Sequence, residues 1–95
     1  MILHTVNKAS TDSSALARCL AVIACGDFLI LIEDGVYNAL LKTEQLSTLG
    51  DRCYILKADT DSRGISAKVA NSFNLVGHEK FVELVTSCKL TQSWF

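Results

Sequence analysis

Proline is absent from this 95-residue chain, and glycine occurs only five times. No Pro-rich linker, low-complexity tract or internal repeat divides it. Neither GxGxxG nor GxxxxGK[ST] occurs, so nucleotide binding has no motif to rest on. Cys19, Cys25, Cys53 and Cys88 include no CxxC pair, and their gaps fit no zinc spacing. With only His4 and His78 as added ligands, neither a metal nor a cofactor is expected. A basic run is also missing: nine Lys and Arg stand singly against ten acidic residues, for a net charge of −1. Phosphate neutralisation supplies most of a nucleic-acid binder's affinity, so direct RNA or DNA binding is not expected. The most apolar stretch, Leu20 to Ile32, is broken by Gly26-Asp27 and is too short to span a bilayer.

What is present is apolar mass. Hydrophobic residues make up 49% of the chain, a high share for its length. A chain of this size makes one domain, expected over residues 1–95, and buries only roughly 60–65% of its unfolded surface. Apolar surface beyond what one small core can use points to a subunit interface, hence an oligomer. Met1 leads into an apolar strand without a basic leader, so the four cysteines are expected to be reduced thiols in the cytoplasm.

The pattern alternates strands with helices. Ile2–Val6 reads as a strand, and a Ser/Thr/Asp-rich stretch follows. Leu16, Cys19, Leu20 and Ile23 mark one face of a first helix that ends near Gly26. Phe28–Ile32 is a buried strand, Asp34-Gly35 a turn, and Val36–Leu41 a short second helix. Lys42–Asp51 reads as a polar loop or a prolongation of that helix. Cys53–Leu56 is a third strand, Asp59–Arg63 a turn, Gly64–Lys68 a weak helix and Phe73–Val76 a fourth strand. Phe81, Leu84, Val85 and Cys88 mark the last helix, and Leu90–Phe95 an edge strand or docked tail. The expected fold is α/β: three layers, a mainly parallel sheet of four or five strands, short helices on both faces.

Ligand chemistry in such sheets gathers where the strands end. Cys19 is the candidate for sulfur chemistry, yet its spacing puts it on the apolar side of its helix, where a cysteine is ordinarily packing. A working thiolate needs exposure and a neighbouring cation or helix N-terminus. Cys25 falls at a helix end where partial exposure is expected; Cys53 and Cys88 read as core, Cys88 alternatively as interface. His4, alternating with apolar neighbours, reads as a structural histidine. Asp34-Gly35 offers backbone N–H groups to an anion, or else a helix cap with a permissive glycine. Trp94 and Phe95 either dock on their own domain or anchor a partner, and the interface is the favoured reading.

Six segments together resemble one family: Ile2-Leu3-His4-Thr5-Val6-Asn7-Lys8, Cys19-Leu20, Leu31-Ile32-Glu33-Asp34-Gly35-Val36-Tyr37, Arg63-Gly64, Phe81-Val82-Glu83-Leu84 and Gln92-Ser93-Trp94-Phe95. In this order they are similar to DsrH/TusB, the smallest subunits of the DsrEFH and TusBCD sulfur-relay complexes. The resemblance implies a DsrE-like sheet in a heterohexamer with two copies each of three related subunits. It implies TusC- and TusD-like (DsrF- and DsrE-like) partners, a TusE/DsrC-like sulfur acceptor, and support of 2-thiolation at the tRNA wobble uridine. The DsrEFH counterpart acts in sulfur oxidation. The principal persulfide cysteine of these complexes belongs to the DsrE/TusD subunit; some DsrH/TusB members carry a cysteine in the first helix, at the place of Cys19, and others lack it. Two roles follow: a secondary persulfide carrier through Cys19, or a non-catalytic subunit that shapes the complex. A stand-alone protein forming homo-oligomers is the remaining alternative.

Overall fold

A computed structural model describes residues 1–95. Five parallel strands form one sheet in the order β4-β3-β2-β1-β5: β1 (Ile2–Val6), β2 (Phe28–Leu31), β3 (Cys53–Leu56), β4 (Asn74–Val76) and β5 (Leu90–Trp94). Three crossovers step one way, from β1 to β4, and the last returns past three strands to set β5 beside β1. Parallel crossovers are right-handed, so reversing the step moves the connecting helix to the other face.

The core shows that division. On one face, helix α1 (Ala15–Val22), helix α2 (Asn38–Leu41), helix α3 (Thr43–Ser47) and the segment before β4 bury Leu16, Cys19, Ala39, Leu46, Ile65, Val69 and Phe73 against Val6, Leu29, Leu31, Cys53 and Ile55. On the other, helix α5 (His78–Ser87) works alone. There the buried hydrophobic cluster is only Leu3, Ile30, Leu84 and Cys88, with Phe28, Ile32, Tyr54, Val76 and Phe81 half-covered around it.

β1 and β3 occupy the expected residues, and the other strands shift by a residue at one end. Three segments differ. The turn at Glu33–Tyr37 is a 3-10 helix that leads into α2, so the second helix begins later than expected. The polar stretch after Lys42 contains α3, separated from α2 by a break at Lys42 (φ −129°, ψ 39°). Residues read as a turn form helix α4 (Lys57–Ser62), directly after β3, and the weak helix expected at Gly64–Lys68 is a 3-10 turn, Ser66–Lys68. Apolar spacing missed α4 because only Thr60 is buried on it, its hydroxyl donating to the Lys57 carbonyl at 2.9 Å.

Gly35 is required for a reason other than backbone freedom. Its φ is not positive; a Cβ there would collide with the Val6 carbonyl where β1 ends. Glu33, two residues earlier, carries the positive φ (49°), and its N–H is held by Asp59 Oδ2 at 2.6 Å. Such backbone is sterically disfavoured for a residue with a side chain. Gly35→Ala should therefore lower stability in urea denaturation by at least about 2 kcal/mol, through overpacking against main chain. Gly77→Ala, whose Cβ meets nothing within 4 Å, should stay within about 1 kcal/mol of the parent.

Candidate functional site

Cys19 sits in the middle of α1 with its side chain turned to the sheet, wholly buried in the larger core. Burial, and then the negative charge of Asp27, push its thiol up to about 12. At neutral pH it is a protonated sulfur among apolar neighbours. Cys53 is in the same state, pushed up to about 12 by burial alone, and Cys88 is buried at the end of α5. Cys25 alone is exposed. No group of three or more His, Cys, Asp or Glu side chains is arranged to hold a metal ion.

The polar centre beside Cys19 lies on Asp27, which a reading of the sequence treats only as a break in an apolar run. Its Oδ1 accepts the Ile2 N–H at 2.9 Å; its Oδ2 accepts the Ala24 N–H at 3.0 Å and faces His4 Nε2 at 3.0 Å. Trp94 Nε1–H donates to His4 Nδ1 at 3.1 Å. Because the indole is donor only, Nδ1 is the acceptor, which leaves the His4 proton on Nε2, pointed at Asp27. Arg52 closes the group, donating to the Asp27 carbonyl at 2.9 Å. Burial pushes the Asp27 carboxyl up, but the Ala24 N–H, the His4 side chain and the Ile2 N–H outweigh it and bring it down to about 2.

This group ties four elements together: the start of β1, the end of α1, the start of β2 and the end of β5. Asp27 and Ile2 lie at the strands' N-terminal rim, opposite the rim where parallel sheets place ligand chemistry. Both His4 nitrogens are engaged, so His4 is the satisfied structural histidine that its strand position suggests. An open hollow of about 580 Å³ adjoins the group, between Met1, Val22, Gln92 and Trp94.

The strands' C-terminal rim holds Asp34, Asp59 and Arg63. Arg63 Nη2 meets Asp34 Oδ1 at 2.9 Å, and Nη1 is 3.8 Å from Asp59 Oδ1. The anion-binding reading of Asp34-Gly35 fails here. Glu33 N–H is held by Asp59, Gly35 N–H donates to the Ile32 carbonyl at 2.8 Å, and the adjoining hollow is lined by Asp12 and by Asp34, whose carboxylate already holds Arg63.

Of the two terminal aromatics, Trp94 docks on its own chain. It packs on the larger core, stacks beside His4 with ring centroids 6.2 Å apart, and lies under the Arg18 guanidinium at 5.8 Å. Phe95 projects outward, its carbonyl accepting from Arg18 at 2.8 Å.

The family described as DsrH like protein matches residues 8–90. The chain is 32% identical to Protein TusB of Pectobacterium atrosepticum, covering 98% of this chain and all of that one. It is 34% identical to Protein TusB of Salmonella arizonae and 31% to that of Escherichia coli, with the same coverage. Among solved structures it resembles protein Tm0979 of Thermotoga maritima, with a TM-score of 0.68 and 28% identity, covering 92% of this chain and 93% of that one.

Two measurements test the site. Since the Asp27 carboxyl is lowered in the folded state, its contribution is complete above pH about 4 and lost as pH falls toward 2. Asp27→Asn should cost about 1–3 kcal/mol at pH 7 and flatten that acid limb in urea midpoints measured against pH. Maleimide labelling at pH 8 should modify Cys25 alone in the folded chain and all four cysteines in denaturant, as read by mass spectrometry.

Proposed function

The chain belongs to the DsrH/TusB family, and from that membership we propose that it is a single-domain subunit of a cytoplasmic sulfur-relay complex that supports 2-thiolation of the tRNA wobble uridine. The observation that carries this reading is end-to-end likeness to proteins named TusB. The partners in this reading are two related subunits of the TusC and TusD kind, in a heterohexamer, with a TusE-like protein as the sulfur acceptor. A DsrEFH-type role in sulfur oxidation is the alternative that shares the same fold.

Within such a complex, the chain's contribution is shape and surface rather than a reacting sulfur. Persulfide exchange requires a thiolate that a second cysteine can approach in line. Cys19 offers neither an open path nor an ionised sulfur, since burial and Asp27 both hold its proton on. Transfer through it would first require α1 to leave the sheet. A thinly covered second sheet face, with Val82 and Val85 exposed on the outer side of α5, suits a subunit that packs against others. Scattered single cations suit a protein whose partner is another protein rather than RNA.

The test is co-purification with the TusC- and TusD-like subunits from the same cell, followed by mapping of labelled persulfide on the assembled complex by mass spectrometry. Label should appear on the largest subunit, and Cys19→Ala should keep transfer within about threefold of the parent. Label on Cys19, or a hundredfold loss in an intact complex, would return the carrier role to this chain. Wobble-uridine 2-thiolation should disappear when the gene is deleted; unchanged tRNA with altered sulfur oxidation would select the DsrEFH role.

A further inference from the structure

We propose that β5 is a homotypic docking edge: two copies of this chain pair β5 with β5, antiparallel about a two-fold axis at Gln92, joining two five-stranded sheets into one. This is independent of the sulfur-relay reading, and begins from how little covers the strand. One edge of β5 pairs with β1, and the other is free because β5 ends the sheet. Leu90, Thr91, Gln92 and Ser93 are all exposed, although they alternate between the two faces. Natural edges are blunted by lysine, proline or a bulge. Leu90–Phe95 contains no charged side chain and no proline, and its ladder to β1 runs unbroken. The opposite edge, β4, is three residues long and half-buried.

The strand's own order of residues selects a second copy as its partner. Leu90-Thr91-Gln92-Ser93-Trp94 reads as apolar, hydroxyl, amide, hydroxyl, apolar in either direction. An antiparallel two-fold at Gln92 sets Leu90 opposite Trp94 of the second copy, Thr91 opposite Ser93, and Gln92 opposite Gln92. Those are the apolar–aromatic, hydroxyl–hydroxyl and amide–amide pairs that favour cross-strand contact. A two-fold interface must be self-complementary, and this sequence meets that condition without placing like charges opposite one another. The surrounding surface agrees. Four of the eight large exposed hydrophobics, Met1 (62%), Val22 (60%), Leu90 (64%) and Phe95 (69%), lie on or beside this edge. Met1 and Val22 share a hollow with Gln92 and Trp94 beside this edge.

The test uses the full chain. Sedimentation equilibrium should show a dimer. In a Cys25→Ser background, Gln92→Cys should form an intermolecular disulfide under mild oxidation, since directly opposed Cβ atoms lie about 4.5–5.5 Å apart. Thr48→Cys, exposed at the end of α3, should not. Thr91→Lys with Ser93→Lys should weaken dimerisation at least about tenfold relative to Thr91→Lys with Ser93→Glu. Both variants lose the 3.1 Å Thr5–Ser93 hydrogen bond, so charge is what differs. A folded monomer, or a dimer whose Gln92→Cys variant does not link, overturns the proposal. So does hydrogen exchange in which β5 is protected only after other subunits are added, since the edge would then take a different chain.

Discussion

The right-handedness of parallel crossovers governs this molecule more than any single contact does. Three steps in one direction commit α1, α2 and α3 to one face, and one reverse step leaves α5 alone on the other. A core cluster of fifteen buried residues on one side against one of four on the other follows from that path. The asymmetry settles the state of Cys19, because α1 rests on the thick face and its inward side chains are sealed. It also leaves β5 at an edge, reached last and supported mainly by its ladder to β1 and by Trp94.

A knot of polar groups holds this arrangement at its weakest join. β5 adds little buried apolar surface, so Trp94 has to attach it through His4, and His4 is oriented in turn by Asp27. Asp27 also accepts the first N–H of β1 and an N–H at the end of α1, groups that would otherwise be left without a partner. A buried carboxylate is stabilising only when its oxygens are saturated with donors, and three converge here. The same charge raises the cost of ionising the neighbouring Cys19. One residue thus helps close the fold and adds to the burial that keeps the Cys19 thiol protonated.

How much of this was legible depends on whether the signal was local. β1, β2 and β3 were readable because short apolar runs in a chain of alternating type have few other fates. Cys19 was readable as a packed residue from its spacing with Leu16, Leu20 and Ile23. α4 was not, since Lys57-Ala58-Asp59-Thr60-Asp61-Ser62 has the composition of a turn; it is held by the Thr60 hydroxyl and a 2.9 Å Lys57–Asp61 ion pair on an otherwise wet helix. The role of Gly35 was hidden because the obstacle is the backbone of Val6, 29 positions away in sequence. Asp27 was missed for the same reason: its partner His4 lies 23 residues earlier, and no local pattern separates a buried anion from a loop aspartate.

A relay subunit whose helical cysteine is sealed is not a contradiction. Sulfur transfer through a protein assembly requires each reacting thiol to be reached by another, and every additional exposed thiolate is also open to oxidation. Cys19, Cys53 and Cys88 are all buried, so in the folded chain none of the three meets that condition. Cys25 is the exception. It is exposed, but it stands before Gly26 at the N-terminal end of the strands, away from the rim where Arg63, Asp34 and Asp59 gather. Its loop is pinned by Arg52, which donates to the Ala24 and Asp27 carbonyls, so the exposed thiol stands beside a structural tie rather than on the rim where parallel sheets gather ligand chemistry.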